Sequence, residues 1–372
     1  MAVSASEKES FLTLVRLGLG FPAAGISGDV DWQALQDIAT QHGLSGVVLD
    51  GIEQLPEQQR PGKLNLLQWI GEVLQNESCL SMQWDVACKM ADVFDQNDIR
   101  TYILKGPVIA ECYPKPSRRV STDIDCFLLP KKGSFDAWSL GNDLMKYQGC
   151  KVGADFYKHS DFYLQDVKVE NHRFMTPCRG NKWLMKMEAV LQSLLKEDKG
   201  EDKIGSSNLC RPPVMASALF IIEHSYSHFM GEGLSWKYVA DWLLFEKKHR
   251  KEIDWGSFLG LLDEFGLKKF FDSFNMICKY LAGEVSEEAL SKRGKKLLDD
   301  IWDDFCLVED DHNFRGKLEL GWKTIRSAWK YRHFAVISMP HALWIYLKGY
   351  FFVKIPTEEA LNISIKGLLS RL

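Results

Sequence analysis

Apolar side chains in residues 1–96 recur at every third or fourth position, which is the period of an amphipathic helix. Asp31 offers helix-cap chemistry before a first run that Gly43 ends, and a longer run extends from about Leu64 to Asp95. The pattern predicts an N-terminal helical region at residues 1–96 whose role is packing.

The period changes to short apolar runs at residues 97–180. A turn signal at 96–98 is followed by a strand, a turn at Lys105, a helix, a second strand at 123–129, another helix and a hairpin. This order is typical of a small α/β unit. Residues 181–372 return to the helical period, so the whole chain is predicted to be an α+β protein with a mixed-sheet core between two helical regions.

Composition limits the class of protein. The chain has 372 residues, of which 46% are apolar, and a net charge of −4, which argues against a general nucleic-acid coat. Nine cysteines without a CxxC pair indicate reduced thiols. No secretory signal is visible, and the uncharged stretch 333–347 is shorter than the about 20 apolar residues that span a bilayer. We expect a soluble, cytoplasmic protein.

Two carboxylates lie close together in the second predicted strand. Asp123 and Asp125 are two positions apart, so both project from the same face. Their repulsion favours a cation between them, and Mg²⁺ prefers such oxygen ligands together with substrate phosphates. The alternative is a solvated strand end without function.

The surrounding residues favour a phosphate-bearing ligand. Lys105 and Gly106 follow the first strand, where glycine permits close backbone approach and the ammonium group favours an anion. Glu170 in the hairpin is a candidate third carboxylate, with His172 at the same strand parity and Asp166 as the competing acid. Three convergent carboxylates are typical of two-metal phosphoryl or nucleotidyl transfer.

Three blocks carry a resemblance to a known family: NDIRTYILKGPVIAECYPKPSRRVSTDIDCFL, VKVENHR and EHSYSHFMGEGLSWKYVADWLLF. Together they resemble the uncharacterised nucleotidyltransferase family of bacterial proteins, within the DNA polymerase β-like superfamily and often associated with polysaccharide biosynthesis loci. The resemblance covers roughly residues 30 to 250. It implies a nucleotidyltransferase-like core at 97–180, a C-terminal helical domain at 181–372 and an enzyme of the nucleotidyltransferase class.

The resemblance also implies roles for individual residues. Asp123, Asp125 and Glu170 match the metal-binding and catalytic carboxylates, which would hold Mg²⁺ as two ions, with Mn²⁺ as a substitute. The implied nucleotide-binding residues are Lys105, Gly106, Arg118 and Arg119. An acceptor hydroxyl or phosphate would then attack the α-phosphorus of an NTP, with pyrophosphate leaving. The chain has Lys-Gly-Pro where the superfamily has Gly-Ser or Gly-Gly, and 16 residues separate Gly106 from Asp123; Lys105 would replace the missing hydroxyl.

Two other functions stay open from the sequence. One is a catalytically silent binding or scaffold protein of a glycan-assembly pathway. The other is a metal-dependent phosphohydrolase that uses His224, His228 and Asp241, because the two histidines share one helix face. These three residues could instead orient ligands in the cleft, or form a buried structural pair with a carboxylate.

Charge is unevenly distributed near the C-terminus. Residues 299–311 carry seven acids and no base, whereas residues 312–354 carry eight basic side chains against one acid, interleaved with aromatic residues. Such a segment predicts a peripheral contact with an anionic membrane or a lipid-linked glycan. The alternatives are packing of the basic helix against the acidic one and a solvated face.

Overall fold

A computed structural model describes residues 3–26, 30–153, 157–178, 181–231, 233–303, 328–334 and 340. Its α-helices are α1 (Ala5–Gly18), α2 (Trp32–Gln41), α3 (Ser45–Glu53), α4 (Lys63–Asp95), α5 (Pro107–Ala110), α6 (Ala137–Tyr147), α7 (Lys182–Glu197), α8 (Val214–Met230), α9 (Trp236–His249), α10 (Trp255–Glu264), α11 (Lys268–Leu281), α12 (Lys292–Asp303) and α13 (Ala328–His333). Short 3₁₀ turns occupy Glu57–Gln59, Pro116–Arg118 and Glu287–Ala289.

One sheet contains the five described strands: β1 (Ile99–Ile103), β2 (Ile124–Pro130), β3 (His159–Leu164), β4 (Val167–His172) and β5 (Leu209–Cys210). Their order in the sheet is β3-β4-β2-β1-β5. Strand β2 runs antiparallel to β1 and parallel to β4, while β3 and β4 form an antiparallel hairpin. The predicted α+β class, with a mixed sheet and flanking helices, is therefore confirmed.

The N-terminal helices form where the sequence predicts them. The Asp31 carboxylate accepts hydrogen bonds from the backbone N–H groups of Gln33 and Ala34, which caps α2. Helix α4 is 33 residues long, and its C-terminal half packs Met90 and Phe94 against the sheet. Helix α4 thus links the N-terminal helices to the strands.

The hydrophobic core crosses the predicted boundaries at residues 96 and 181. One cluster joins residues of α1 to α4, the face of the sheet that carries Phe127 and Leu129, and α7 to α12. A second cluster lies between the C-terminal half of α4, the opposite face of the sheet and α6. The division into three domains stays a prediction, and the two helical regions share one core.

The structure tests only part of the predictions for the chain ends. None of the described helices is long and apolar enough to cross a bilayer. In the charged C-terminal segments, Lys330 of α13 lies 2.9 Å from Asp300 of α12, and both side chains are buried. This single pair agrees with packing of basic against acidic residues, while most of residues 304–354 lies outside the described residues.

Candidate active site

A cavity of 530 Å³ opens where the N-terminal end of β2 and the β3–β4 hairpin face α8 and α9. A volume of this size suits a small-molecule ligand. Its polar wall combines carboxylates, ammonium groups and imidazoles: Lys105, Arg119, Asp123, Lys158, His159, Glu170, His224, His228, Lys237, Tyr238 and Asp241. The cavity therefore brings most of the predicted site residues together.

The two predicted carboxylates flank the ammonium group of Lys105. Asp123 directly precedes β2, and its Oδ1 lies 3.8 Å from Lys105 Nζ; Asp125 Oδ2 lies 3.0 Å from the same atom. Asp125 is only 2% exposed, and among the described residues its Oδ2 accepts no hydrogen bond of good geometry. The only close partner of this buried oxygen among the described residues is thus the ammonium group of Lys105, and such an oxygen could also bind a metal ion.

The parallel pairing of β2 with β4 places Glu170 beside Asp125. The two residues are direct cross-strand partners, so their side chains project from the same face of the sheet. Asp166 instead lies in the turn of the hairpin, with a positive φ of 64°, four positions before Glu170. Glu170 is thus the acid that the fold brings to the predicted site.

His172 connects these two carboxylates. Its Nε2 lies 3.0 Å from Asp125 Oδ1 and 3.6 Å from Glu170 Oε2, and the imidazole is almost completely buried. Lys168 holds the other oxygen of Glu170 at 2.6 Å. The structure thus places His172 beside both carboxylates, and its role at the site stays a prediction.

Charge pairing controls the protonation of these groups. Burial raises the pKa of Asp125, but Lys105 and His172 outweigh burial and hold that pKa well below its usual range. Burial and the neighbouring Asp125 raise the pKa of Asp123. Burial lowers the pKa of His172, yet Asp125 and Glu170 bring it above its usual value. The cluster is therefore a set of mutually dependent charges.

Gly106 allows the chain to turn after β1. Its φ is 64°, in the left-handed region that favours glycine, and it precedes the four-residue helix α5. Because so short a helix contributes little dipole, the predicted anion contact at this turn would depend on Lys105. The Lys105 ammonium also lies 3.3 Å from His224 Nε2.

The two predicted arginines occupy different places. Arg118 does not line the cavity and instead pairs with Asp50 at 3.0 Å and Glu77 at 2.9 Å. Arg119 lines the cavity, but its Nε and Nη2 each donate a hydrogen bond of 2.8 Å to Asp241. The structure thus brings only Arg119 of this pair to the site, and there it is part of a buried ion pair.

His224 and His228 form an aromatic wall of the cavity. His224 stacks on Phe220, and His228 stacks on Tyr238 with ring centroids 4.7 Å apart. Burial, followed by the charge of Lys105, keeps the pKa of His224 well below its usual range, so the ring is neutral and can accept the Lys105 proton in a hydrogen bond.

Two cavity lysines were absent from the sequence prediction. Lys158 directly precedes β3 and Lys237 lies in the first turn of α9. Among the described residues, neither forms an ion pair with a carboxylate. Burial and the charge of Arg119 lower the pKa of Lys237 to about 8. Neither lysine belongs to a recognisable sequence motif. Only the packing of the hairpin and α9 around the cavity shows that the two side chains lie at the site.

A protein-family model described as "Uncharacterised nucleotidyltransferase" matches residues 28–283, well over half of the chain. The chain belongs to this nucleotidyltransferase family. The matched segment contains the whole sheet and every residue of the cavity wall, which confirms the family resemblance of the three sequence blocks. No curated protein and no solved structure matches the chain.

The candidate site has donor atoms that could hold a metal ion. Asp125, Glu170 and His172 place ligand atoms within 4.8 Å of one another, and so do His159, Asp161 and Glu170. His224, His228 and Asp241 form no such set among the described residues. Both oxygens of Asp241 instead accept hydrogen bonds from Arg119. The geometry thus places candidate metal ligands on the sheet rather than on the helical histidine pair.

Proposed function

We propose that this nucleotidyltransferase moves a nucleoside monophosphate from an NTP to an acceptor hydroxyl or phosphate and depends on Mg²⁺. The main support is the register of β2 and β4, which pairs the buried Asp125 with Glu170 of the cavity wall. Asp123, which also lines the cavity, directly precedes β2. Oxygen ligands of this kind bind Mg²⁺ together with substrate phosphates.

Asp123, Asp125 and Glu170 are the residues that would hold the metal. When bound, the ion would neutralise developing charge on the phosphates. Asp125 fits this role because its inner oxygen is buried without a hydrogen bond from the described residues. The chain itself orients the acids: His172 holds Asp125 and Glu170 through Nε2, and Lys168 holds the outer oxygen of Glu170.

The ammonium groups on the other walls support a polyphosphate substrate. Lys105, Lys158 and Lys237 line the same cavity as the carboxylates, and the latter two have no acidic partner among the described residues. They supply positive charge for phosphates that the carboxylates would repel. Positioning and electrostatic stabilisation of this kind account for most of the catalysis of phosphoryl transfer.

Calorimetric titration with Mg²⁺ and each of the four NTPs tests the proposal. We expect the native chain to bind at least one NTP in a Mg²⁺-dependent manner, and Asp123→Asn with Asp125→Asn to remove that dependence. Asp143→Asn, an exposed acid paired with Lys146 on α6, is the control and should behave as the native chain. Nucleotide binding that ignores both Mg²⁺ and the double substitution would contradict the metal-dependent site.

Turnover distinguishes an enzyme from a silent binding protein with the same fold. NTP labelled at the α-phosphate is incubated with sugar phosphates, which suit a polysaccharide pathway. The reaction should yield a labelled acceptor and unlabelled pyrophosphate. Metal-dependent binding without pyrophosphate release from any acceptor in the panel would favour the silent protein.

A further inference from the structure

Strand β3 carries two side chains of the metal-binding type, His159 and Asp161, that the proposed nucleotidyl transfer does not use. Asp161 of β3 is the cross-strand partner of Glu170, and His159 is the partner of His172. His159, Asp161 and Glu170, hereafter the hairpin site, place ligand atoms within 4.8 Å of one another. Strand β3 thus adds an imidazole and a carboxylate beside the acids of β2 and β4.

The histidine of the hairpin site is oriented as a metal-bound histidine usually is. His159 Nδ1 lies 2.7 Å from Asp161 Oδ1, which leaves Nε2 facing Glu170 Oε2 at 3.5 Å. Ligating histidines in metalloproteins generally share their second ring nitrogen with a carboxylate in this way. Bond lengths near 2.0–2.1 Å to a tetrahedral ion would separate two donors by roughly 3.3–3.5 Å. An ion fits between Nε2 and Oε2 without turning the ring.

Among the described residues, no lysine forms an ion pair with Oε2 of Glu170. Lys168 binds Oε1 of Glu170, whereas Oε2 has the two imidazole nitrogens of His159 and His172 as neighbours, at 3.5 and 3.6 Å. His159 and Glu170 both line the cavity, so that water or a phosphate oxygen can complete the coordination.

The carboxylates Asp123, Asp125 and Glu170 contact the ammonium groups of Lys105 and Lys168, and two further lysines line the cavity. The type of donor atom, rather than net charge, therefore selects the ion. Imidazole nitrogen is a poor ligand for Mg²⁺ and a good one for zinc-like transition ions.

We infer that the hairpin site binds a divalent transition-metal ion of the class that accepts imidazole nitrogen, such as Co²⁺ or Zn²⁺. His159 Nε2 and Glu170 Oε2 are the protein donors, and Asp161 orients the imidazole. This site shares Glu170 with the proposed Mg²⁺ ligands but requires no nucleotide. It therefore stands whether or not the chain transfers nucleotides.

Co²⁺ binding to the full chain tests the inference. It is measured without nucleotide, by equilibrium dialysis and by visible absorption. We expect His159→Phe, which keeps the ring volume, to lose a Co²⁺ component that Asp125→Asn retains. Asp161→Ala should weaken the same component about 10–100-fold, as loss of a ligand-orienting carboxylate does. Asp161→Asn should restore it, because the amide oxygen can still accept from Nδ1.

His249→Phe is the matched control, since His249 also pairs with an acid, Glu252 at 2.8 Å, on the exposed surface of α9. It should bind Co²⁺ as the native chain does, and circular dichroism should show all variants folded. Co²⁺ binding and spectra that are identical for His159→Phe, Asp161→Ala and the native chain would overturn the inference. A Co²⁺ signal that is lost in Asp125→Asn but kept in His159→Phe and Asp161→Ala would also overturn the inference.

Discussion

At the scale of single residues, Lys105 occupies the place that a catalytic cation would need. Its ammonium lies within ion-pair distance of Asp123 and Asp125 and also contacts His224. Burial lowers the pKa of Lys105, but the two acids outweigh it and the pKa lies above its usual value, so that the side chain stays charged. The ammonium group of Lys105 thus offsets the negative charges of Asp123 and Asp125.

Replacement of Lys105 should therefore strengthen metal binding in the absence of nucleotide. Opposite charges 4 Å apart attract by about 4 kcal/mol near a protein surface. Without the ammonium group, the two carboxylates should therefore bind a metal ion more tightly. We expect Lys105→Gln to bind Mn²⁺ about tenfold more tightly than the native chain and to bind nucleotide less tightly. Electron paramagnetic resonance of free Mn²⁺ measures the first effect. Lys146→Gln is the exposed control, and an unchanged Mn²⁺ affinity would contradict competition by Lys105.

Lys237 should make anion binding depend on pH. Its pKa of about 8 means that the ammonium form predominates below pH 8 and is lost above it. An anion binds the protonated form, so affinity for sulfate, whose own charge is constant over this range, should be constant below pH 8 and fall by up to about tenfold per pH unit above it. Titration calorimetry from pH 6.5 to 9.5 measures this. Lys237→Met should bind more weakly at pH 7 and remove the decline, whereas Lys158→Met should keep it.

At the scale of elements, glycines allow α1 and α3 to pack at backbone contact. A Cβ atom on Gly51 would lie 2.1 Å from the carbonyl oxygen of Leu14, and one on Gly18 would lie 1.9 Å from that of Val47. Backbone oxygens cannot rotate away as side chains can. The N-terminal helices therefore depend on these two positions for their crossing.

Gly51→Ala should separate α1 from α3 and lower the free energy of unfolding by about 1–3 kcal/mol. Gly71→Ala is the matched control, because Gly71 lies on the exposed face of α4, where an added Cβ atom would have no atom of the described residues within 4 Å. That substitution should raise stability by about 0.5–1 kcal/mol. Urea unfolding of both variants gives the comparison, and equal effects would argue against the close crossing.

At the scale of the whole molecule, a buried ion pair connects the sheet to the helical region. Arg119 comes from the segment before β2 and Asp241 from α9, and Tyr113 donates a further hydrogen bond of 2.7 Å to the same carboxylate. Both charged side chains are almost completely buried. The pair thus holds α9, with Lys237 and Tyr238, against the carboxylates across the cavity.

Loss of one partner of this pair should destabilise the fold more than loss of the neighbouring Arg118, whose side chain is only partly buried. Arg119→Gln leaves Asp241 buried without its counter-ion, and we expect a loss of about 3–5 kcal/mol in the free energy of unfolding. Arg118→Gln should cost about 1 kcal/mol, because Asp50 keeps Lys115 at 2.8 Å. Urea unfolding compares the two. A similar cost for both variants would show that Arg119 does not connect the two regions in this way.

The local sequence pattern was sufficient to predict most helices and strands and the candidate metal-binding carboxylates. The cap at Asp31, the strands on both sides of the Lys105 turn and the hairpin around Glu170 follow from side-chain period and turn chemistry, which act between near neighbours. Strand β5 was missed, because its two residues form a strand only by pairing with β1 across more than 100 positions.

The sequence by itself determined the α+β class, the family resemblance and the types of side chain available for metal and phosphate binding. Only the tertiary structure decided which of them meet: Glu170 rather than Asp166, Arg119 rather than Arg118, and the unpredicted Lys158, Lys237, His159 and Asp161. The physical reason is that strand register and helix docking join residues distant in the chain. Periodicity records only which face of its own element a residue occupies.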